Sequence, residues 1–116
     1  MQKKQRLPDR LRYYTFQYFP KDPEVNVWSV QCVECPDAFG GSRTPELAEK
    51  NGVDNLLALI HFRKKDGYVG GVPIGRATPH NNMPEGYFEV CIDVANERAV
   101  SFSRHVPHFH KVSGFD

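Results

Sequence analysis

The fold turns on residues 25–50, VNVWSVQCVECPDAFGGSRTPELAEK. Trp28, Val30 and Cys32 alternate with Val27, Ser29, Gln31 and Val33, the period-two pattern of a half-buried strand. CVEC then poses a choice between half of a metal site and a strand end that carries two thiols. AFGGS is short and glycine-punctuated, which suits a brief third strand or a bent connection. A helix opens straight afterwards: Thr44 is a good N-cap, Pro45 takes the favoured first position, and Glu46 sets negative charge near the positive end of the dipole.

Upstream, YYTFQYF (residues 13–19) is aromatic and β-branched and ends at the turn PKDPE, so it is expected to pair with the next strand as an antiparallel hairpin. Downstream, Ala48, Gly52, Val53, Leu56, Leu57, Leu59, Ile60 and Phe62 form an apolar stripe that must pack on the sheet. Gly52 costs about 1 kcal/mol relative to alanine inside a helix, which points to a close approach between helix and sheet. Arg63, Lys64 and Lys65 suit the negative end of the dipole, and Gly67 suits the stop. Residues 68–86 hold glycines and prolines without periodicity and read as a long loop. GYFEVCIDV then places Phe88, Val90, Ile92 and Val94 inward and Glu89, Cys91 and Asp93 outward, ANER turns, and AVSFS returns as a last strand. The expected fold is α+β, a small antiparallel sheet with one main helix packed on a face, in the order β-β-β-α-β-β. Residues 1–12 form a basic N-terminus, 13–103 a single domain, and 104–116 a tail containing histidines.

The length of 116 residues supports one hydrophobic core, not two. No apolar run reaches the roughly 20 residues needed to span a bilayer, and the basic N-terminus has no apolar segment behind it, so a cytoplasmic protein without a membrane partner is expected. The three cysteines stand in no framework spacing, in keeping with a reducing compartment.

The second strand, the bend and the helix start together resemble the N-terminal domain of HicB-like antitoxins. The residues that carry the resemblance are Trp28 and Val30 in the strand, Glu34 and Pro36 in the bend, Phe39 and Gly41 after it, Thr44 as cap, and Glu46 and Ala48 in the helix; GYFEVCIDV is similar to the family's fourth strand. The resemblance spans roughly residues 12–95. It implies a β-β-β-α-β sandwich related to a partial ribonuclease-H-like fold that binds and blocks a small toxic RNase. Such domains usually continue into a DNA-binding segment, and nothing after Ser103 reads as one. That departure leaves room for a stand-alone inhibitor from a phage or mobile element, directed at a subunit of a defence complex. The partner surface is expected at the sheet edge and the loop residues Tyr68, Val69, Val72, Ile74, Arg76, His80 and Asn81. A homodimer through the same edge fits this reading, and no cofactor is expected.

Other chemistry competes. Cys32 and Cys35 with His105 and His108 supply the donors of a tetrahedral zinc site, although strand residues three apart face opposite ways unless the chain turns at Glu34. The favoured reading is sheet with thiols, Cys32 and Cys35 standing where the family carries apolar core residues. Glu89 and Asp93, on one strand face, suit a metal-assisted nuclease only if they converge with other acids, and are expected on a solvated face. His61, His80 and the tail histidines offer acid and base to a metal-free RNase. Lys3, Lys4, Arg6, Arg10 and Arg12, with Tyr13, Tyr14, Phe16 and Tyr18 as a stacking face, define an RNA- or DNA-binding alternative.

Overall fold

The computed structural model describes residues 11–65 and 74–105, without the side chains of Pro20, Asp22 and His105. Five antiparallel strands, β1 (Leu11–Asp22), β2 (Val27–Cys32), β3 (Phe39–Ser42), β4 (Tyr87–Asp93) and β5 (Arg98–His105), form one sheet in the order β3-β2-β1-β4-β5, with the helix α1 (Pro45–Lys65) between β3 and β4. The α+β class expected from the pattern is the one found.

The N-terminal strand is therefore the central one. Its aromatic alternation places Tyr14, Phe16 and Tyr18 on the helix face, opposite Val90 and Phe88 of β4 and Cys32 and Val30 of β2. The Phe16 and Phe88 rings, cross-strand partners, stack with centroids 4.8 Å apart, and Tyr18 tilts against Phe88 from the next rung. These aromatics are buried core, which corrects their reading as a base-stacking platform. β1 also runs three residues past the expected end of the strand. Pro20 lies inside it, at the register shift between Phe19 and Asp22, where a residue without an N–H costs no regular ladder bond.

α1 begins as its sequence dictates. The Leu47 N–H donates to Thr44 Oγ1 at 3.2 Å and the Ala48 N–H to the Thr44 carbonyl. Its buried stripe is Ala48, Gly52, Val53, Leu56 and Ile60, whereas Phe62 stands 56% exposed because it falls on the far side of the last turn. The helix touches β3 and β2 most closely, and glycines set that distance. A Cβ on Gly52 would lie 2.6 Å from Val30 Cγ2 and 3.2 Å from the Phe16 ring, and one on Gly40 would lie 2.3 Å from the Gly52 nitrogen. The backbones of α1 and β3 are thus in direct contact at this pair.

Two polar devices follow from that contact. The Cys32 N–H bonds the Ala38 carbonyl, so the alternation along β3 turns the carbonyls of Phe39 and Gly41 away from β2. Asn55 Nδ2 donates to the first and Asn51 Nδ2 to the second, the latter at 2.9 Å. Four helix residues rise about 6 Å, close to the roughly 6.7 Å between alternate strand residues, so two asparagines four apart close the sheet edge. At the other end of α1, His61 and Lys64 hold Glu97 at 2.8 and 3.1 Å, and Lys64 also donates to the Val94 carbonyl. The β4–β5 turn is fastened to the helix terminus in this way, with Glu97 itself at a positive φ of 56°.

Replacing Gly52 by alanine gains about 1 kcal/mol in helix propensity but forces a methyl group into Val30 and Phe16. Overpacking of about 1–3 kcal/mol outweighs that gain, and the expected outcome is a net loss of up to about 2 kcal/mol, read as a lower denaturant midpoint. A more stable Gly52→Ala variant would show that the interface yields.

Candidate functional site

The helix covers one face of the sheet, and residues 74–86 cross the other. The Arg76 N–H and carbonyl pair with the carbonyl and N–H of Tyr13 at 2.7 and 2.9 Å, beside β1 where β2 has already turned away. The Tyr18 N–H donates to the Gly86 carbonyl at the opposite end of the span. Between these anchors the strap lies over Thr15 and Glu89, which face each other across β1 and β4. Glu89 is only 4% exposed. Its Oε2 sits 2.7 Å from His80 Nδ1, and the carboxylate also accepts the His80 backbone N–H. The expectation of Glu89, Cys91 and Asp93 on a solvated face is therefore corrected: all three point to the face opposite the helix, but all are buried. The strap covers Glu89, and Asp93 accepts the N–H and side-chain amide of Asn96 in the following turn.

The His80 and Glu89 pair could orient a histidine for proton transfer, since a carboxylate on Nδ1 leaves Nε2 facing outward. Among the described residues no second catalytic group is assembled around it. Thr15 Oγ1 is buried nearby with no hydrogen-bond partner among the described residues. His61, committed to Glu97, sits at the helix terminus instead.

CVEC resolves as a strand end. After Cys32 the chain bends, Val33 still donating its N–H to the Thr15 carbonyl, and Glu34 Oε1 accepts the Thr15 N–H at 2.7 Å where β2 would otherwise have paired. A turn from Cys35 to Ala38 then starts β3. The bend brings both thiols into the apolar core with Ala38 and Val30, so the opposite-face argument gives way. Burial pushes the Cys32 thiol up to about 12, with Glu34 adding to the effect, and raises Cys35 and Cys91 as well. Among the described residues no three metal-ligating side chains converge, and His108 and the His105 side chain lie outside them.

A further polar cluster went unread in the sequence. Glu49, on the buried stripe of α1, accepts a short hydrogen bond from the Tyr18 hydroxyl and the Arg104 Nε–H at 2.8 and 3.1 Å. Burial first, and then the Glu49 carboxylate, raise the Tyr18 hydroxyl above its ordinary range. Arg104 lies 4.7 Å over the Phe102 ring. Together with Val53, Leu57 and Ala99 these residues line a groove of about 300 Å³ between α1 and β5. The only sequence signal was Glu49 itself, an acid three residues after Glu46 and one turn before Val53.

A further depression is open on the face away from the helix. Past the strap, Phe19, Ser29, Gln31, Phe39 and Gly41 line this shallow depression. Phe39 is 59% exposed there, and Val33 is 52% exposed at the end of β2. Arg76 follows Val33 along the same side of β1, and Ile74, two residues before it, is 77% exposed. Among the expected partner residues, Ile74, Arg76 and Asn81 thus face solvent, His80 is turned inward to Glu89, and Tyr68, Val69 and Val72 lie outside the described residues. Lys3, Lys4, Arg6 and Arg10 also lie outside them, and Arg12 is half-buried on β1. Elsewhere on the surface Arg63 lies 3.7 Å from Asp37, Lys64 is held on Glu97 and Arg104 on Glu49. No helix among the described residues is long and apolar enough to cross a membrane.

No family model, no curated protein and no solved structure matches the chain.

Two outcomes are expected. His80→Ala leaves the buried Glu89 carboxylate without its ring partner, at a cost of about 1–3 kcal/mol, and hydrogen exchange at Tyr13 and Arg76 should quicken as the strap loosens. Unchanged exchange would show that the strap is held by its other anchors alone. Because the fold keeps Cys32 neutral, its contribution to stability is full below about pH 9 and declines as the pH rises toward about 12. Native-state thiol labelling at pH 8 should accordingly be slow at all three cysteines and complete on unfolding; fast labelling would place a thiol at the surface.

Proposed function

We propose that the protein is a non-catalytic binding module that holds a partner protein inactive, in the manner of the HicB-type antitoxin domains its sequence resembles. The partner would be a small RNase toxin in the cytoplasm, and a phage-borne inhibitor of a defence complex would use the same surface chemistry. The observation that carries this reading is the open depression on the sheet face opposite the helix, where exposed Phe39 stands beside Phe19, together with the exposure of Val33 and Ile74. Clustered exposed apolar side chains of this kind mark protein interfaces, and Arg76 and Asn81 supply a polar rim. The β-β-β-α-β-β order agrees with the resemblance, the packing of Cys32 and Cys35 in the core weakens the zinc alternative, and the pairing of Arg63, Lys64 and Arg104 with acids leaves these three less available to phosphate. The buried Glu89 with His80 favours a second reading, an RNase using the histidine, only so far as that pair goes.

The test uses the tagged chain as bait in a host lysate, followed by purification of any RNase retained. Stoichiometric inhibition of that RNase is expected. Phe39→Asp and Ile74→Asp should each weaken binding about tenfold or more, corresponding to about 1.4 kcal/mol, without lowering the melting temperature. RNA cleavage by the chain itself, abolished in His80→Ala, would reverse the assignment in favour of the enzyme.

A further inference from the structure

The two edges of the sheet are treated differently. At β3 the outward carbonyls of Phe39 and Gly41 are taken by Asn55 and Asn51, so an added strand would have to displace both amides. At β5 the eight residues Arg98–His105 end the sheet, and among the described residues nothing pairs with their outer side. Val100 and Phe102 are exposed along it, at 53% and 41%. An open edge of this length flanked by apolar side chains is a template for another strand.

The pattern of β5 indicates which strand fits. Its ladder with β4 is regular from Ser101 to His105 and shifts only between Ser101 and Ala99, where Val100 is the extra residue. We propose that this regular half pairs antiparallel with the same segment of a second copy, with the two-fold axis at Ser103, so that two five-stranded sheets become one of ten strands (5 + 5). In that register Phe102 faces Arg104 of the second copy on the helix side, a cationic group opposite an aromatic ring, and Ser103 faces Ser103 on the other side. Arg104 already lies over the ring of its own Phe102, so the guanidinium is held where the second ring arrives. An axis at Ser101 instead sets Arg98 against Arg104, a like-charge pair, and an axis at Phe102 sets Arg104 against the bulged Val100. The amides on β3 stop the sheet from extending further, so the assembly closes at two copies. This dimer does not rest on the partner-binding reading, which uses the depression around Phe39 on another part of the molecule.

The test is the position dependence of a disulfide in the full chain. Residues directly opposite in an antiparallel pair have Cα atoms about 4.5–5.5 Å apart, within the reach of a disulfide. Ser103→Cys should therefore give a covalent dimer on non-reducing gels under a mild thiol oxidant. Ser101→Cys, displaced from its counterpart by about 14 Å along the strands, should not. Sedimentation equilibrium of the unmodified chain should give twice the chain mass at tens of micromolar, and Phe102→Asp should shift it to the monomer. A monomer mass for the unmodified chain overturns the proposal, as does crosslinking at Ser101 equal to that at Ser103. Both substituted serines are exposed and the three native thiols buried, so neither misfolding nor background pairing imitates the result.

Discussion

The contact between Gly40 and Gly52 governs the arrangement of everything around it. With no side chain on either residue, α1 settles directly onto β3 and β2, and a Cβ at either position would occupy space already filled by backbone or by Val30. That placement brings Asn51 and Asn55 within reach of the strand carbonyls. It also draws the helix away from β4 and β5, leaving the groove in which Arg104, Phe102 and the buried Glu49 meet. The closed edge, the open edge and the cleft between helix and sheet are thus three results of one close packing. Interiors at crystal-like density do not deform smoothly, so a methyl group at this point would move the helix as a body.

Three carboxylates complete what the helix and strands leave unsatisfied. Glu34 caps the Thr15 N–H where β2 departs, Glu49 takes the Tyr18 hydroxyl and Arg104, and Glu89 takes the ring and backbone of His80. Each binds a donor from outside its own strand, bend or helix. Each also lies next to a group that would otherwise be buried without a partner, a cost of about 1–3 kcal/mol per group. The polar chemistry described at these three carboxylates is therefore mostly architectural.

How much of this was legible depended on whether the signal was local. Thr44, Pro45 and the alternation through Trp28, Val30 and Cys32 act within a few residues, and the elements they specify are where the pattern places them. The meaning of Gly52 was readable because glycine inside a helix is costly without a reason. Glu89 and Asp93 misled because alternation assigns a face but not what meets it: residues 74–86, which carry no periodicity, cover Glu89, and Asn96 of the next turn engages Asp93. Glu49 was invisible for a similar reason: an acid on an apolar stripe has meaning only once Arg104, from the far end of the chain, is beside it. The Asn51 and Asn55 pair, four apart like many surface residues, acquires its role only when β3 lies against the helix.

The position of β1 carries a consequence for biogenesis. The first strand of the chain is the centre of the sheet, and Leu11 finds its neighbour in Asp93, close to the last strand. During synthesis β1, β2, β3 and α1 emerge together and can assemble, but the second side of β1 stays unpaired until residues 87–93 leave the ribosome. Contacts so distant in sequence are slow to form, and an aromatic-rich strand edge waiting for its partner is prone to pair with other chains. The order of the strands thus makes the interval between synthesis of α1 and of β4 the most vulnerable period in the life of the molecule.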